Sequence, residues 1–224
     1  MIKFKNTDVW GFEHALRGMR NPMNSWNKSD SKYCGDFDEC EKCNLRIDTC
    51  DAYLIGENDM NLAQKLIKGG SEHRKFLRQI FVSVDITASM YWWSEFDTYK
   101  VGTTANSTSK MHKLAETSIT TDMFELNDIS KNDNVFLNYI NHLEEMRKQY
   151  LKTKDKNIWK SIVQQLPESW LQTRTVTLNY ENLFNMYRQR KNHKLDEWRI
   201  GFIEWVKTLP YAEELIMYTE GENK

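Results

Sequence analysis

Residues 99–109, Tyr-Lys-Val-Gly-Thr-Thr-Ala-Asn-Ser-Thr-Ser, follow the aromatic run Tyr91-Trp92-Trp93-Ser94-Glu95-Phe96 and hold the densest set of small polar side chains available for chemistry. Gly, Thr, Ser and Asn in this density predict a polar loop whose backbone N–H groups and hydroxyls converge on an anion, the arrangement of a nucleotide phosphate site without a strong basic patch. Ser107, Thr108 and Ser109 are the candidate phosphate holders. Lys100 or Lys110 would supply charge, and Asn106 would orient the loop through its amide. The competing reading is a solvated turn or helix N-cap.

Arg190 lies seven residues after Leu183 and three after Tyr187, on one face of a predicted helix. A guanidinium on an otherwise apolar face needs an anionic or carbonyl partner, so Arg190 is a candidate ligand contact or half of a structural salt bridge. His73 and His193 are each flanked by charged residues. A surface or supporting role suits His73, and His193, close behind Arg190, is the better site candidate.

All the cysteines, Cys34, Cys40, Cys43 and Cys50, fall in one short acidic segment. Their spacing could wrap a tetrahedral zinc ion, which four thiolates would make structural because no position remains open for water. A reduced surface insertion and disulfides in a secreted chain are the alternatives.

The elements that must position these residues follow from hydrophobic period and breakers. Residues 2–20 predict a short strand and an amphipathic helix carrying Phe12, Ala15, Leu16 and Met19, ended by Asn21-Pro22. A polar excursion follows over 21–57, with a cysteine-rich insertion over 27–57. Asn58 or Asp59 is expected to cap a helix over 60–68 that carries Leu62, Leu66 and Ile67 and stops at Gly69-Gly70. A strand is expected over 79–86, then a helix over 89–98 whose Tyr91, Trp92, Trp93 and Phe96 read as core or oligomer contacts before stacking platforms. Val135, Tyr139, Leu143, Met146 and Tyr150 form a helical stripe in 132–153, and Glu144, Glu145, Arg147, Lys148 and Lys152 read as its solvated face. Further helices are expected over 157–165, 180–190 and 194–207, with a strand over 170–178. Without regular βαβ alternation this is an α+β chain.

The 224 residues and formal charge of −1 fit one domain or a tightly joined pair with a substantial core, and the chain is read as a single domain over 1–224. The near-neutral charge argues against nucleic-acid binding by phosphate neutralisation, and no window approaches a membrane span. The expectation is a soluble, cytoplasmic protein whose partner is a small ligand.

The loop also resembles the signature of the flavin-dependent thymidylate synthases: Arg-His-Arg, two residues, Ser, one residue, Asn, two residues, Ser. On that pattern Thr104 takes the first Ser, Asn106 the Asn and Ser109 the last Ser, while the basic triplet falls on Tyr99, Lys100 and Val101. Ala15-Leu16-Arg17-Gly18-Met19-Arg20 is similar to the family's Ala-x-Arg-x-x-Arg helix. Lys65 to Ala88, with Glu72-His73, is similar to its helix, Gly-His-Glu segment, Glu-His pair and strand. Leu166-Pro167, Thr173-Arg174, Asn179, Leu183, Asn185, Arg190 and His193 keep its order within one-residue insertions. Only Lys100 of the triplet is charged, and the family's Asn-x-Arg-x-Leu is here Asn179-x-Glu181-x-Leu183.

The resemblance implies the mixed helix and sheet fold of that family and transfer of a one-carbon group to C5 of a pyrimidine deoxynucleotide, dUMP to dTMP or a related modification, with flavin as reductant. It further implies FAD, methylenetetrahydrofolate and NADPH, and a homotetramer with shared active sites. Reaction at C5 needs electron density driven into the ring, by a cysteine added at C6 or by polarised carbonyls. With every cysteine in the insertion, a cation must do it, and the resemblance makes Arg190 both catalytic and nucleotide-binding. Ser107, Thr108, Ser109 and Lys110 would bind the nucleotide, and Lys100, Thr104, Asn106, Asn179 and His193 the flavin. The alternative is a non-catalytic nucleotide-binding or interaction protein that kept the fold and lost flavin chemistry. A third reading is a zinc-stapled scaffold whose cysteine loop docks a partner.

Overall fold

A computed structural model describes residues 2–34, 52–109 and 114–218. Strand β1 (Lys3–Trp10) leads into helix α1 (Phe12–Arg20), which buries Phe12, Ala15, Leu16 and Met19 as the period predicts, and Asn21-Pro22 end it in a 3-10 turn. Gly11 joins them at φ 96°, and a Cβ there would stand 2.2 Å from the Gln79 carbonyl oxygen, so this turn requires glycine. The excursion is closed at its base by a short antiparallel pair, β2 (Lys32–Tyr33) with β3 (Tyr53–Leu54), which the Cys34 N–H extends by donating to the Ala52 carbonyl at 2.8 Å. Cys40, Cys43, Cys50 and Lys110 lie outside the described residues.

Helix α2 (Glu57–Lys68) starts earlier than expected, with Gly56 at its cap position. The capping acceptor comes instead from Asp30, whose carboxylate takes the backbone N–H groups of Asn58 and Asp59 at 2.9 and 3.1 Å. Asp59 is thereby released from the cap and lies fully buried, accepting from Arg20 at 2.5 Å and from the hydroxyls of Ser29 and Ser31. Burial opposes its charge, but those hydroxyls and the Arg20 guanidinium outweigh it and hold the carboxyl below its ordinary range.

The chain continues through β4 (Phe81–Ser89), α3 (Met90–Phe96), β5 (Thr104–Ser107), α4 (Asp128–Lys131), α5 (Asn134–Thr153), α6 (Lys156–Gln165), β6 (Leu171–Asn179) and α7 (Tyr180–Arg190). A π-helical turn (Glu197–Phe202), α8 (Ile203–Lys207) and a second π-helical turn (Ala212–Ile216) complete it. Where one helix was expected over 194–207, the structure thus has a π turn running into α8. Four strands form one sheet in the order β1-β4-β6-β5, the mixed α+β architecture expected.

The chain divides into two compact units, and each of the four strands contributes residues to both. The first comprises Met1–Lys5, Asp85–Lys100 and Ala105–Val176. In it α5 and α6 pack through Ile140, Leu143 and Ile162 onto Leu114, Ile119 and Phe124. Leu143 is buried, but Val135 is 79 % exposed, and in the first turn of α5 it is Phe136 that packs against this cluster. The charged face of α5 also departs from expectation. Arg147 is only 7 % exposed and grips Glu144 through two hydrogen bonds of 2.7 and 2.8 Å while donating to the Ala115 carbonyl and the Ser118 hydroxyl. Glu144 also accepts the Ile119 N–H at 2.7 Å, so residues 115–119 cover part of the face that spacing alone assigned to solvent. The Arg147 hydrogen bonds hold the Glu144 carboxyl below its ordinary range against a smaller opposing effect of burial.

The second unit comprises Asn6–Val84, Val101–Thr104 and Thr177–Lys224. Its core joins α1 and α2 to Ile80, Val82, Leu183, Trp198 and Phe202, all buried. Tyr180 is enclosed there and donates its hydroxyl to the Pro210 carbonyl at 2.6 Å, and burial pushes its phenol well above the ordinary range.

Candidate functional site

The polar stretch is not a free loop along its whole length. Thr104–Ser107 form β5, the edge strand beside β6, with all four residues exposed. The residue types favour a turn, but an available strand edge satisfies backbone groups that a loop would leave to water, and this tertiary pairing overrides weak local preference. Beyond it the Thr108 N–H donates to the Thr173 carbonyl at 2.9 Å. That N–H is therefore already engaged, and the hydroxyl is the donor Thr108 presents to solvent. Ser107 and Thr108 are exposed and Ser109 is half-buried; Lys100 and Asn106 are exposed.

Thr108 is held from a second side. The Gln172 side chain, itself buried, donates from Nε2 to the Thr108 carbonyl at 2.9 Å and accepts at Oε1 from Arg174 Nε at 3.0 Å. Arg174 stacks over the Trp93 ring at 4.2 Å and donates from Nη1 to Asp97 at 2.7 Å. The Gln172 carbonyl accepts the Trp93 indole N–H at 3.0 Å. All of these residues belong to the first unit. The sequence assigned Trp93 to the core or to an oligomer contact, and it is buried, but gave Gln172 and Asp97 no part. Arg174 and Asp97 stand 77 residues apart, and no local pattern links them.

In the second unit, Asn179 opens α7 with a capping box. Its side-chain oxygen accepts the Asn182 N–H at 3.0 Å, and its own N–H donates to the Asn182 side chain at 3.2 Å. Asn182 Nδ2 also donates to the Val101 carbonyl at 2.7 Å. Gly102 follows at φ 76°, and a Cβ there would lie 3.0 Å from Asn179 Nδ2, so the chain closes onto the start of α7 only with glycine.

At the other end of α7, Arg190 is half-buried with its guanidinium 4.8 Å from the centre of the Trp198 ring. His193 lies near the same ring, 6.3 Å between centroids, and its Nδ1 accepts the Leu195 N–H at 3.2 Å. The structure thus brings together Arg190 and His193 on one indole. A cation placed over an aromatic face is held there by the ring's quadrupole, and both candidate side chains share that ring.

The charge reversal at Glu181 has a local answer. Glu181 is buried and its two carboxylate oxygens share the Arg74 Nε–H, at 2.9 and 3.1 Å, while the Arg74 guanidinium lies 4.2 Å from the Phe184 ring centre. Arg188 lies 3.2 Å from the same ring centre and donates to the carbonyls of Phe184, Ile216 and Tyr218. Glu181 is a paired structural carboxylate, and Arg188, which sequence reading passed over, ties α7 to the C-terminal turn. His73, beside Arg74, is exposed as expected.

A separate open cleft of about 490 Å³ in the second unit is lined by Met19, Met23, Leu62, Leu66, Phe76 and His73 among others, and none of the predicted nucleotide or cofactor residues borders it. Among the described residues no group of three or more His, Cys, Asp or Glu side chains is placed to hold a metal ion, and no helix is long and apolar enough to cross a membrane.

No known protein-family profile and no curated protein sequence matches this chain. Solved structures do. The crystal structure of thymidylate synthase X from Helicobacter pylori with FAD and dUMP, at 2.31 Å resolution, superposes with a TM-score of 0.66 at 17 % identity, covering 96 % of each chain. A second structure, the flavin-dependent thymidylate synthase of the same organism complexed with FAD and dUMP, gives the same TM-score and identity over 96 % of this chain and 97 % of the other. At that identity the likeness establishes the fold: the described residues have the architecture of the flavin-dependent thymidylate synthases.

Proposed function

We propose that this chain is a thymidylate synthase-like enzyme that transfers a one-carbon group to C5 of a pyrimidine deoxynucleotide. The observation that carries the reading is the end-to-end likeness to two enzyme structures holding FAD and dUMP. The ordered residue matches from Ala15 to His193 support it. In this reading Arg190, whose guanidinium lies 4.8 Å from the Trp198 ring centre, stabilises negative charge as it develops on a ring oxygen. Ser107, Thr108, Ser109 and Lys110 take the nucleotide phosphate, chiefly through hydroxyls because the Thr108 N–H is engaged elsewhere.

FAD would be contacted by Lys100, Thr104, Asn106, Asn179 and His193. Lys100, Thr104 and Asn106 are exposed and offer an ammonium, a hydroxyl and an amide, a donor set of the right chemistry for a pyrophosphate. When bound, the flavin supplies the reducing equivalents for the transferred carbon. Methylenetetrahydrofolate, NADPH and a homotetrameric assembly complete the proposal by the same resemblance.

One observation favours a second reading, a nucleotide-binding protein without flavin chemistry: Lys100 is the single cation at the triplet positions. The absorbance spectrum of the purified protein, followed by dUMP turnover with added FAD, methylenetetrahydrofolate and NADPH, separates the two. Flavin bands and dTMP formation are expected. Colourless protein that binds dUMP and does not turn it over would establish the second reading.

A further inference from the structure

We infer that Gln172 and Arg174 are positioning residues for the candidate phosphate segment: a relay from Asp97 through Arg174 and Gln172 to the Thr108 carbonyl sets where Ser107, Thr108 and Ser109 present their hydroxyls. The inference rests on the nucleotide reading of that segment and adds to it what holds the segment in place.

Short hydroxyl-bearing side chains bind an anion well only when their backbone is fixed beforehand, because ordering a loop on binding subtracts from affinity. Thr108 is fixed from both polar groups of its peptide backbone, the N–H by the Thr173 carbonyl at 2.9 Å and the carbonyl by Gln172 Nε2 at 2.9 Å. Gln172 is suited to this because its amide both accepts and donates, and here both ends are used. The amide orientation is in turn dictated by Arg174, which has only donors: its Nε at 3.0 Å forces the oxygen of Gln172 toward Arg174 and the nitrogen toward Thr108. Arg174 is held in place, since its guanidinium carbon lies 4.2 Å from the Trp93 ring centre and Asp97 takes its Nη1 at 2.7 Å. Trp93 itself is anchored by its indole N–H on the Gln172 carbonyl, which closes the set of contacts. A plain edge strand needs none of this beyond the Thr108 N–H bond.

The variants that test it are Gln172→Glu, which keeps shape and the acceptor for Arg174 but removes the donor to Thr108, and Asp97→Asn at a half-exposed position that folding tolerates. Two measurements are made: amide hydrogen exchange over residues 104–109 in the ligand-free protein, and calorimetric affinity for dUMP and for deoxyuridine. Exchange over 104–109 is expected to quicken about tenfold in Gln172→Glu, the equivalent of one lost hydrogen bond, and less in Asp97→Asn, with α5 unchanged. Affinity for dUMP is expected to fall about tenfold while that for deoxyuridine holds, because only the phosphate is held by this segment. Unchanged exchange in both variants, or equal loss for dUMP and deoxyuridine, overturns the inference. If wild-type protein binds no dUMP while exchange still quickens, the nucleotide reading fails and the role assigned to the relay fails with it.

Discussion

Arg190 shows how one side chain can be read two ways until its surroundings are known. Its guanidinium lies 4.8 Å from the Trp198 ring centre, the ring that His193 also approaches. If it polarises the pyrimidine, Arg190→Lys keeps the charge and loses the fork, and turnover on dUMP should fall on the order of a hundredfold while nucleotide affinity changes little. Single-turnover rates measured beside the melting temperature check this; a large stability loss with normal turnover per folded molecule would make Arg190 structural. Asp59 and Glu144 give a pH prediction at the same scale. Both carboxyls are held below their unfolded values, so the stability they contribute is present above the ordinary carboxylate range and is lost as pH falls through their native values. Urea unfolding from pH 7 down to about 3 should show a steep loss below about pH 4 that is shallower in Asp59→Asn. At neutral pH that variant should lose ~3 kcal/mol, as expected for a buried arginine left without its partner, and an unchanged midpoint would refute the assignment.

At the scale of elements, helix starts here are set by side chains from different sources. α7 carries its own capping box in Asn179 and Asn182, whereas α2 is capped by Asp30 from across the excursion. Asn179→Ala should cost about 1 kcal/mol and loosen the 101–104 segment that closes on the start of α7, visible as a lower melting temperature with faster exchange at Val101–Thr104. Asp30→Ala should destabilise by a similar amount and free the N-terminal turn of α2, although nothing within four residues of Asn58 predicts it. Intact protection of that turn in the variant would show that Gly56 and water suffice.

For the molecule as a whole, the fold is that of thymidylate synthase structures solved with FAD and dUMP, while the triplet positions and Glu181 depart from the charges of the pattern the chain resembles. The Arg74–Glu181 pair shows that one departure is absorbed structurally, so a charge reversal in a motif need not mean a broken site. The clustering of all cysteines between Cys34 and Cys50 predicts one structural zinc per chain, about one equivalent by elemental analysis of protein prepared without chelator. Absence of metal, with stability unaltered in a Cys40→Ser, Cys43→Ser double variant, would reject it.

Local pattern by itself determined a good part of this. Period and breakers located α1, α3, α5, α6, α7, β4 and β6 within a few residues, because burial on one face imposes spacing directly on the sequence. The α+β class followed from their order, and the core role of Trp92, Trp93 and Phe96 from helical spacing and size. What required tertiary structure was every decision about a polar group whose partner is distant in the chain. Arg147 and Glu144 look like surface charges until residues 115–119 fold over them, Asp59 looks like a cap until Arg20 reaches it, and residues 104–107 look like a loop until β6 offers an edge. Apolar burial is written into periodicity, whereas a hydrogen bond between residues 64 or 77 positions apart leaves no trace in either local sequence, so the relay that holds Thr108 could be found only in the folded chain.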